Sequence, residues 1–283
     1  MTPGRVVALG PALRCVLAPN PSPMTLDGTR SYVVGRERPV VVDPGPAEPD
    51  HVAALVAALG GHAPAAILLT HAHPDHAPAA LRLHERTGAP IWLARGALAP
   101  ALPAEVVSHW PEPGDAVATD AGELRALPTP GHAPEHLAFA WDGDAAPGGR
   151  ALFVGDLLMG EGDTALVAPP EGDLAEYLAS LDRVEDVGAA VFFPTHGPPL
   201  AQPADALARY RAHRRARMEQ VLAALGARRQ TAASLVQRVY GPRLPEELAA
   251  AAEGSLHAVL LYLERQGRVR RAVGGGHLRW ERV

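Results

Sequence analysis

The segment His71-Ala72-His73-Pro74-Asp75-His76 places three imidazoles and one carboxylate within six residues, directly after an apolar run at residues 65–70. The apolar run predicts a buried strand. Side chains at this spacing cannot share one helix face, but a loop at a strand end can direct them at one or two cations. A single histidine is more often an ordinary exposed or hydrogen-bonded side chain. Because the chain has only 13 His among 283 residues, three within six positions indicate a metal site.

Three later segments each end a predicted strand with one side chain of a metal-binding type beside a glycine. They are Thr129-Pro130-Gly131-His132, Val154-Gly155-Asp156 and Phe193-Pro194-Thr195-His196-Gly197. Each segment alone is a weak signal, but the ordered set is a strong one, because loops gather at strand ends. The donors are nitrogen and oxygen atoms, which suit zinc and would also accept manganese or iron. We expect all four segments to build one metal site, with zinc as the predicted ion.

The first 200 residues alternate strands and helices in two similar halves. Strands are predicted over residues 5–16, 31–43, 65–70, 90–94, 116–119, 123–128, 136–141, 151–155 and 190–193, and helices over 49–60, 76–88 and 173–187. This order favours an α/β (α+β) fold in the form of an αββα four-layer sandwich, in which two sheets pack face to face with helices outside. A single doubly wound sheet fits the order less well.

Beyond residue 203 the strand signals stop. The periodicity predicts helices over 203–225, 231–240 and 245–266, then a hairpin over 268–282 that turns at Gly274-Gly275-Gly276. Helices followed by a hairpin are typical of a small winged-helix module. The sequence therefore predicts two domains, one over 1–202 that carries the metal site and a C-terminal helix with a winged-helix-like domain over 203–283.

Composition excludes several protein classes. Hydrophobic residues make up 47% and charged residues 20% of the chain, which is ordinary for a globular protein. The single Cys15 excludes an internal disulfide framework and a cysteine-based structural zinc site, and it is expected in a buried strand. Residues 1–13 lack a basic start with a long apolar run, and no later run reaches about 18 apolar residues. A cytoplasmic protein with no membrane partner is predicted.

The net charge of −5 hides a strong asymmetry. Residues 1–200 carry 11 Arg against 24 acidic residues, giving −13, and residues 201–283 carry 15 Arg against 7, giving +8. The arginines crowd the first C-terminal helix and the hairpin, as Arg209, Arg211, Arg214, Arg215, Arg217, Arg268, Arg270, Arg271, Arg279 and Arg282. They are interpreted either as contacts to a nucleic acid backbone or as partners of the acidic body.

The ordered motif H-x-H-x-D-H, then His, Asp and His, resembles the glyoxalase II-like branch of the metallo-β-lactamase superfamily over residues 5–200. The resemblance implies one metal on His71, His73 and His132, a second metal on Asp75, His76 and His196, and Asp156 as the bridge. It also implies hydrolysis by a metal-bridging hydroxide, with Asp75 as the carboxylate that orients it or accepts its proton. Asp43 resembles the acid that steadies the histidine segment in this family. His136 has either a catalytic role, as a proton donor or a substrate contact, or a structural one.

Further motifs are similar to the beta-lactamase-like protein 2 family. They are Asn20-Pro21 with Thr25, Gly28 and Tyr32, then Gly155-Asp156 with Gly160, Gly162 and Thr164, then Tyr177-Leu178-Ala179-Ser180-Leu181. This family also carries a C-terminal helix and winged-helix-like module, so the resemblance spans nearly the whole chain. Its animal members are endoribonucleases that act on single-stranded RNA.

Three hypotheses for the function follow. The first is a metal-dependent endoribonuclease on single-stranded RNA, from the family resemblance and the basic C-terminal region. The second is a thioester or ester hydrolase, from the glyoxalase II-like site and an acidic body that does not suit phosphate binding. The third is a nucleic-acid-binding regulator with a vestigial hydrolase domain. The complete ligand set argues against decay of the enzyme, so the third is the least favoured.

Overall fold

A computed structural model of the chain describes residues 1–96, 102–225, 229–242, 244–274 and 277–283. Seven strands form the first sheet in sequence order, antiparallel from the first to the fourth and parallel from the fourth to the seventh. These strands are β1 (Val6–Gly10), β2 (Leu13–Leu17), β3 (Arg30–Val34), β4 (Val40–Val42), β5 (Ala66–Leu68), β6 (Ile91–Trp92) and β7 (Val107–His109). The helix α1 (Pro49–Ala58) connects β4 to β5, and α2 (Pro78–Thr87) connects β5 to β6.

The second sheet has five strands in the order β12-β11-β10-β9-β8. Its members are β8 (Ala116–Thr119), β9 (Gly122–Pro128), β10 (Leu137–Asp142), β11 (Arg150–Gly155) and β12 (Val191–Pro194). Only β11 and β12 pair in parallel, across the helix α3 (Leu174–Asp186). The α3 helix begins at Asp173, whose carboxylate accepts hydrogen bonds from the Ala175 and Glu176 amides.

Three apolar layers hold the sandwich together. One layer packs α1 and α2 against the outer face of the first sheet, with Leu55 and Leu83 fully buried. The layer between the sheets is rich in aromatic rings, including Tyr32, Trp141 and Phe153. The third layer packs helices against the outer face of the second sheet. The predicted αββα arrangement is therefore present.

The C-terminal part contains α4 (Pro203–Leu225), α5 (Ala232–Tyr240), α6 (Ala249–Arg265) and the hairpin of β13 (Val269–Gly274) with β14 (His277–Arg282). This is the predicted winged-helix arrangement; Gly275 and Gly276 of its predicted turn lie outside the described residues. The apolar side chains of these helices belong to the same cluster as α3 and the second sheet. The division into domains 1–202 and 203–283 remains a prediction, because the two parts share one core.

Two predicted strands are hairpins in the structure. Residues 5–16 form most of β1 and β2, with the turn at Pro11-Ala12, and residues 31–43 contain most of β3 and all of β4. Gly35, at a φ of 95°, opens the second turn, and the Asp120 carboxylate accepts hydrogen bonds from the Arg36 and Arg38 amides. The short strand β7 was not predicted. In the part of the chain that the structure describes, no helix is long and apolar enough to cross a bilayer.

Candidate metal centre

Five strands end at one edge of the sandwich, and the residues that follow them meet there. Asp43 follows β4, the segment from Thr70 to His76 follows β5, and His132 follows β9. Asp156 directly follows β11, and His196 comes two residues after the end of β12. Gly155, at a φ of 52°, permits this packing, because a Cβ there would press on the His136 ring and on Thr70.

Three ring nitrogens of the first cluster converge on one point. The His73 Nδ1 atom lies 2.8 Å from His71 Nε2 and 3.0 Å from His132 Nε2. The opposite nitrogens face Thr70 Oγ1 at 3.0 Å, the Glu171 carboxylate at 2.9 Å and the Leu166 carbonyl at 2.7 Å. Because the opposite nitrogens donate to these acceptors, the converging nitrogens carry lone pairs. Three lone pairs cannot hydrogen-bond to one another, but they fit a cation.

A second cluster joins Asp75, His76, Asp156 and His196, whose ligand atoms lie within 4.8 Å of one another. The His196 Nε2 atom is 3.1 Å from Asp75 Oδ2, and His76 Nε2 is 3.3 Å from Asp156 Oδ1. Three of these buried atoms, His76 Nε2, Asp156 Oδ1 and His196 Nε2, have no hydrogen-bond partner among the described residues. Buried polar atoms without partners are costly, so this donor set also fits a cation.

Asp156 lies between the two clusters. Its Oδ1 atom faces His76 and His196, at 3.3 and 3.4 Å, whereas its Oδ2 atom faces His132 Nε2 at 3.6 Å. Its side chain is 13% exposed and borders the cavity described below. One carboxylate therefore presents an oxygen to each group of ligands.

Asp43 fixes the backbone and the rings of the site from behind. Its buried carboxylate accepts hydrogen bonds from the Thr70 amide at 2.8 Å and from the hydroxyls of Thr70 and Thr195 at 2.8 and 2.7 Å. It also accepts from His76 Nδ1 at 3.0 Å, which directs His76 Nε2 toward Asp156. The two threonines directly precede His71 and His196, so one carboxylate orients ligands from two sheets.

Burial and charge set the protonation of the ligands. Burial alone would raise the pKa of the Asp156 carboxyl, but the imidazoles of His196 and His76 hold it well below its ordinary value. Burial holds the pKa of His71 well below its ordinary value. Burial would also lower the pKa of His76, but the carboxylates of Asp156 and Asp75 raise it well above the ordinary value of a histidine. Asp156 is thus ionised and His71 neutral at neutral pH, which are the forms that bind metals, whereas His76 holds a proton that a metal would displace.

His136 is directed away from the ligands. Its Nδ1 atom bonds to the Thr129 hydroxyl at 2.8 Å, and its Nε2 atom accepts from the Asp156 amide at 3.2 Å. The ring is 1% exposed, and burial lowers its pKa to about 3. Of the two roles left open by the sequence, this geometry favours the structural one, because a neutral ring with both nitrogens engaged has no proton to deliver.

Several neighbours of the centre were not predicted from the sequence. Glu171 and the Leu166 carbonyl come from the loop before α3, and the Gly28 carbonyl lies 3.2 Å from His196 Nδ1. Thr70 and Thr195 could have been found from the sequence, because each directly precedes a predicted metal-binding histidine. Glu171 had no such signal, because 98 residues separate it from His73.

A cavity of about 380 Å³ opens from the metal-ligand residues toward the C-terminal helices. Its polar end contains His73, Asp75, His132 and Asp156. Its far wall is mostly apolar and comes from α5, α6 and the residues between them, with Tyr240, Leu244, Leu248, Ala251, Ala252 and Ser255. Between the two ends, α4 contributes His213, Arg214 and Arg217. The C-terminal module thus forms one side of the space next to the site.

Many arginines of the basic C-terminal region have acidic partners. Arg211 contacts Asp182 and Glu185 of α3 at 2.6 and 2.8 Å. Four further pairs have the same character: Arg265 with Asp173, Arg268 with Glu219, Arg270 with Glu281 and Arg271 with Glu264. Arg211 and Arg265 contact carboxylates of the acidic body, as one of the two interpretations expected. The partners of Arg268, Arg270 and Arg271 belong to the C-terminal region itself.

The family model for the metallo-beta-lactamase superfamily matches residues 24–196, and the model for the beta-lactamase associated winged helix domain matches residues 231–280. The chain belongs to the metallo-β-lactamase superfamily. The predicted likeness to beta-lactamase-like protein 2 is confirmed by the homologue of that name from Drosophila melanogaster. It is 31% identical, over 90% of this chain and 88% of its own length.

Two further members of this superfamily resemble the whole chain. An atrochrysone carboxyl ACP thioesterase from Aspergillus chevalieri is 32% identical, over 97% of this chain and 88% of its own length. The crystal structure of a beta-lactamase domain protein from Burkholderia ambifaria superposes with a TM-score of 0.86 and 26% identity. That superposition covers 100% of this chain and 95% of the other, so the sandwich and the C-terminal module share one arrangement in both proteins.

Proposed function

We propose that this chain is a metal-dependent thioester hydrolase that holds two divalent ions, with zinc as the native metal. The observation that carries the proposal is the cavity, which joins a cluster of metal-type ligands to a mostly apolar wall. An acyl thioester has the matching parts, a polar carbonyl to be attacked and an apolar chain to be buried. The likeness to a relative named as a thioesterase supports the same conclusion.

In this proposal, His71, His73 and His132 would hold one ion, Asp75, His76 and His196 would hold the other, and Asp156 would offer one carboxylate oxygen to each group. The opposed lone pairs of the first group and the three unpartnered atoms of the second support the assignment. Nitrogen and oxygen donors suit zinc, and no cysteine is near the site. Manganese or iron would satisfy the same donors.

When bound, the two ions would supply Lewis acidity, which lowers the pKa of water and polarises a carbonyl group. The reaction adds the oxygen of water to the carbonyl carbon and breaks the C–S bond, so that a carboxylic acid and a thiol leave. Asp75 is the carboxylate that we propose to orient the water and accept its proton, since its side chain is 28% exposed and borders the cavity. His136 is proposed to hold the Asp156 backbone in position.

The charge distribution supports a thioester over single-stranded RNA, the alternative implied by the resemblance. RNA binding draws its affinity from unpaired positive charge that meets successive phosphates. At least five arginines of the basic region are instead within 4.0 Å of carboxylates. The charge of these five arginines is therefore already paired in part before any ligand binds, which leaves less of it for successive phosphates.

The decisive experiment offers purified, zinc-loaded protein both an acyl thioester series and an unstructured single-stranded RNA. We expect thioester cleavage that the variant Asp156→Ala abolishes, with the RNA left intact. RNA cleavage that the same variant abolishes, with no thioester cleavage, would establish the nuclease instead. Duplex binding without any hydrolysis, retained after loss of His71 and His73, would support a nucleic-acid-binding regulator. Elemental analysis of the protein as purified tests the metals, with two zinc ions per chain expected.

A further inference from the structure

A pair of arginines without carboxylate partners lines the middle of the cavity. Arg214 is 2% exposed, and its contacts are a hydrogen bond to the Ala165 carbonyl at 2.5 Å and the Tyr177 ring, whose centroid is 4.6 Å away. Its Nε atom has no hydrogen-bond partner. Among the described residues, no carboxylate lies within 4.0 Å of this guanidinium. A buried charge without a counterion is unfavourable, so the site is incomplete in the chain alone.

Arg217, three residues further along α4, is half-buried and likewise has no carboxylate within 4.0 Å among the described residues. Its guanidinium lies 4.2 Å from the centroid of the Tyr240 ring and bonds to the Gln220 amide oxygen at 2.9 Å. Its Nε atom and the Nδ1 atom of His213 are also buried without a hydrogen-bond partner in the described part of the chain. His213, Arg214 and Arg217 all border the cavity. Three nitrogen-bearing side chains therefore converge on one wall of the space where a substrate would lie.

The carboxylates near these residues do not balance this charge. Asp75 and Asp156 border the same cavity but belong to the proposed metal site. Asp163 influences the pKa of His213, but it is exposed and forms no ion pair with either arginine within 4.0 Å. In contrast, the neighbouring Arg211 on α4 contacts two carboxylates. Arg209 and Arg215 of α4 also lack a carboxylate within 4.0 Å among the described residues, but both are exposed to water. On the cavity face, in contrast, the unpaired arginines are shielded from solvent.

We infer that the His213, Arg214 and Arg217 face of α4 binds an anionic group of the substrate, remote from the scissile carbonyl. The inference rests on the proposed thioester hydrolysis and narrows it to thioesters that carry a negative charge. Such a charge has two chemical sources, a carboxylate on the acyl chain or the phosphate of a phosphopantetheine thiol. Both accept charge-assisted hydrogen bonds from guanidinium groups.

The test uses two matched substrate pairs. In the first pair, hexanoyl and adipoyl thioesters of N-acetylcysteamine differ by one carboxylate; in the second, hexanoyl-pantetheine and hexanoyl-phosphopantetheine differ by one phosphate. We expect wild-type kcat/KM to be about 10- to 100-fold higher for the charged member of one pair, a range typical of hydrogen bonds to charged groups. The pair that shows the preference identifies the source of the anion.

Variants at Arg217 assign the preference to this wall. In Arg217→Gln, the ratio of kcat/KM for the charged substrate to that for the neutral one should fall to about one. Arg217→Lys should keep part of the preference, because the charge remains while the planar guanidinium is lost. Arg215→Gln is the matched control, since Arg215 is exposed on the same helix and does not border the cavity. It should keep the wild-type ratio. A wild-type ratio near one for both pairs, or equal losses on both members in Arg217→Gln, would overturn the inference.

Direct binding separates this inference from the proposed function. If no thioester is hydrolysed, calorimetric titration of zinc-loaded protein with adipate and with phosphopantetheine still reports on the anion site. Binding that Arg217→Gln weakens about tenfold or more, and Arg215→Gln does not, keeps the site while the thioesterase assignment fails. Absent binding, or binding independent of Arg217, rejects the site. Cleavage of single-stranded RNA that depends on Arg217 would assign the anion to an RNA phosphate and overturn the inference.

Discussion

The metal end of the cavity is held by hydrogen bonds from strand ends, whereas its far wall is held by the packing of α5 and α6. At the metal end, Asp43 alone accepts four hydrogen bonds. The outer nitrogens of the ligand histidines face carboxylate, hydroxyl or carbonyl oxygens, as His132 Nδ1 faces the Leu166 carbonyl. At the far wall, Leu248, Ala251 and Ala252 meet the cavity through their hydrocarbon groups.

This difference predicts two kinds of response to mutation. A hydrogen-bonded ligand network loses its function when one partner is lost, because the remaining buried groups are left unsatisfied. An apolar wall changes its shape by small steps, so substitutions there should alter which substrate is accepted while the chemistry continues. Under the proposed thioester hydrolysis, this separation would let one metal site serve different acyl groups.

The largest effect is expected for Asp156→Ala, which removes the carboxylate between the two clusters. The atoms His76 Nε2 and His196 Nε2 would lose their nearest shared anion. We expect hydrolysis to fall by about three orders of magnitude or more, with metal content dropping from two ions to one or none. Asp144→Asn, an exposed control, should match wild type in both measurements. Full metal content with normal turnover in Asp156→Ala would contradict the bridging role.

A moderate effect is expected for Glu171→Gln. Glu171 holds His73 Nε2 at 2.9 Å, but its side chain is 48% exposed, so water partly replaces it. We expect metal affinity to fall about tenfold, the lower end for partners of metal-ligand histidines. Competition with a chelator measures the change, and the exposed Glu112→Gln serves as the control. An unchanged affinity would mean that Glu171 does not orient His73.

At the far wall, Ala252→Leu should change specificity more than chemistry. Ala252 is 6% exposed and borders the cavity, so a larger side chain narrows the space for an acyl chain. We expect kcat/KM for hexanoyl thioesters to fall about tenfold relative to acetyl thioesters, comparable with the effect of one or two methylene groups in a pocket. The control Ala250→Leu is exposed on the same helix. Equal losses on both substrates would show that the wall does not contact the acyl chain.

The same contrast explains what was predictable from the sequence. His71, His132, Asp156 and His196 follow apolar runs that end in Gly, Pro or Thr, so their grouping could be predicted from local patterns. The order of strands and helices likewise gave the αββα sandwich. The two early hairpins were missed because each was predicted as one continuous strand. The turn residues at Pro11-Ala12 and Gly35 were included in runs that otherwise have the composition of strands.

The far wall could not be predicted from the sequence. Leu248 and Ala252 have the spacing of ordinary core residues on a helix, and only the packing of α6 near the metal end makes them cavity residues. Arg211 and Arg214 differ by three positions, yet one contacts the carboxylates of α3 and the other is buried over Tyr177. Composition gives the total charge of a region, but the partners depend on tertiary contacts between distant segments.

The smallest effect is expected at the junction between these two regions, where Arg211 of α4 contacts Asp182 and Glu185 of α3. The acidic side chains are 70% and 51% exposed, so solvent screens the attraction. We expect Arg211→Gln to lower the free energy of unfolding by about 1 kcal/mol or less, with a smaller loss at high salt. Urea denaturation at two salt concentrations measures it, with Arg215→Gln as a control without a recorded carboxylate partner among the described residues. A loss above about 2 kcal/mol would mean that ion pairs, rather than the shared apolar core, hold the C-terminal module in place.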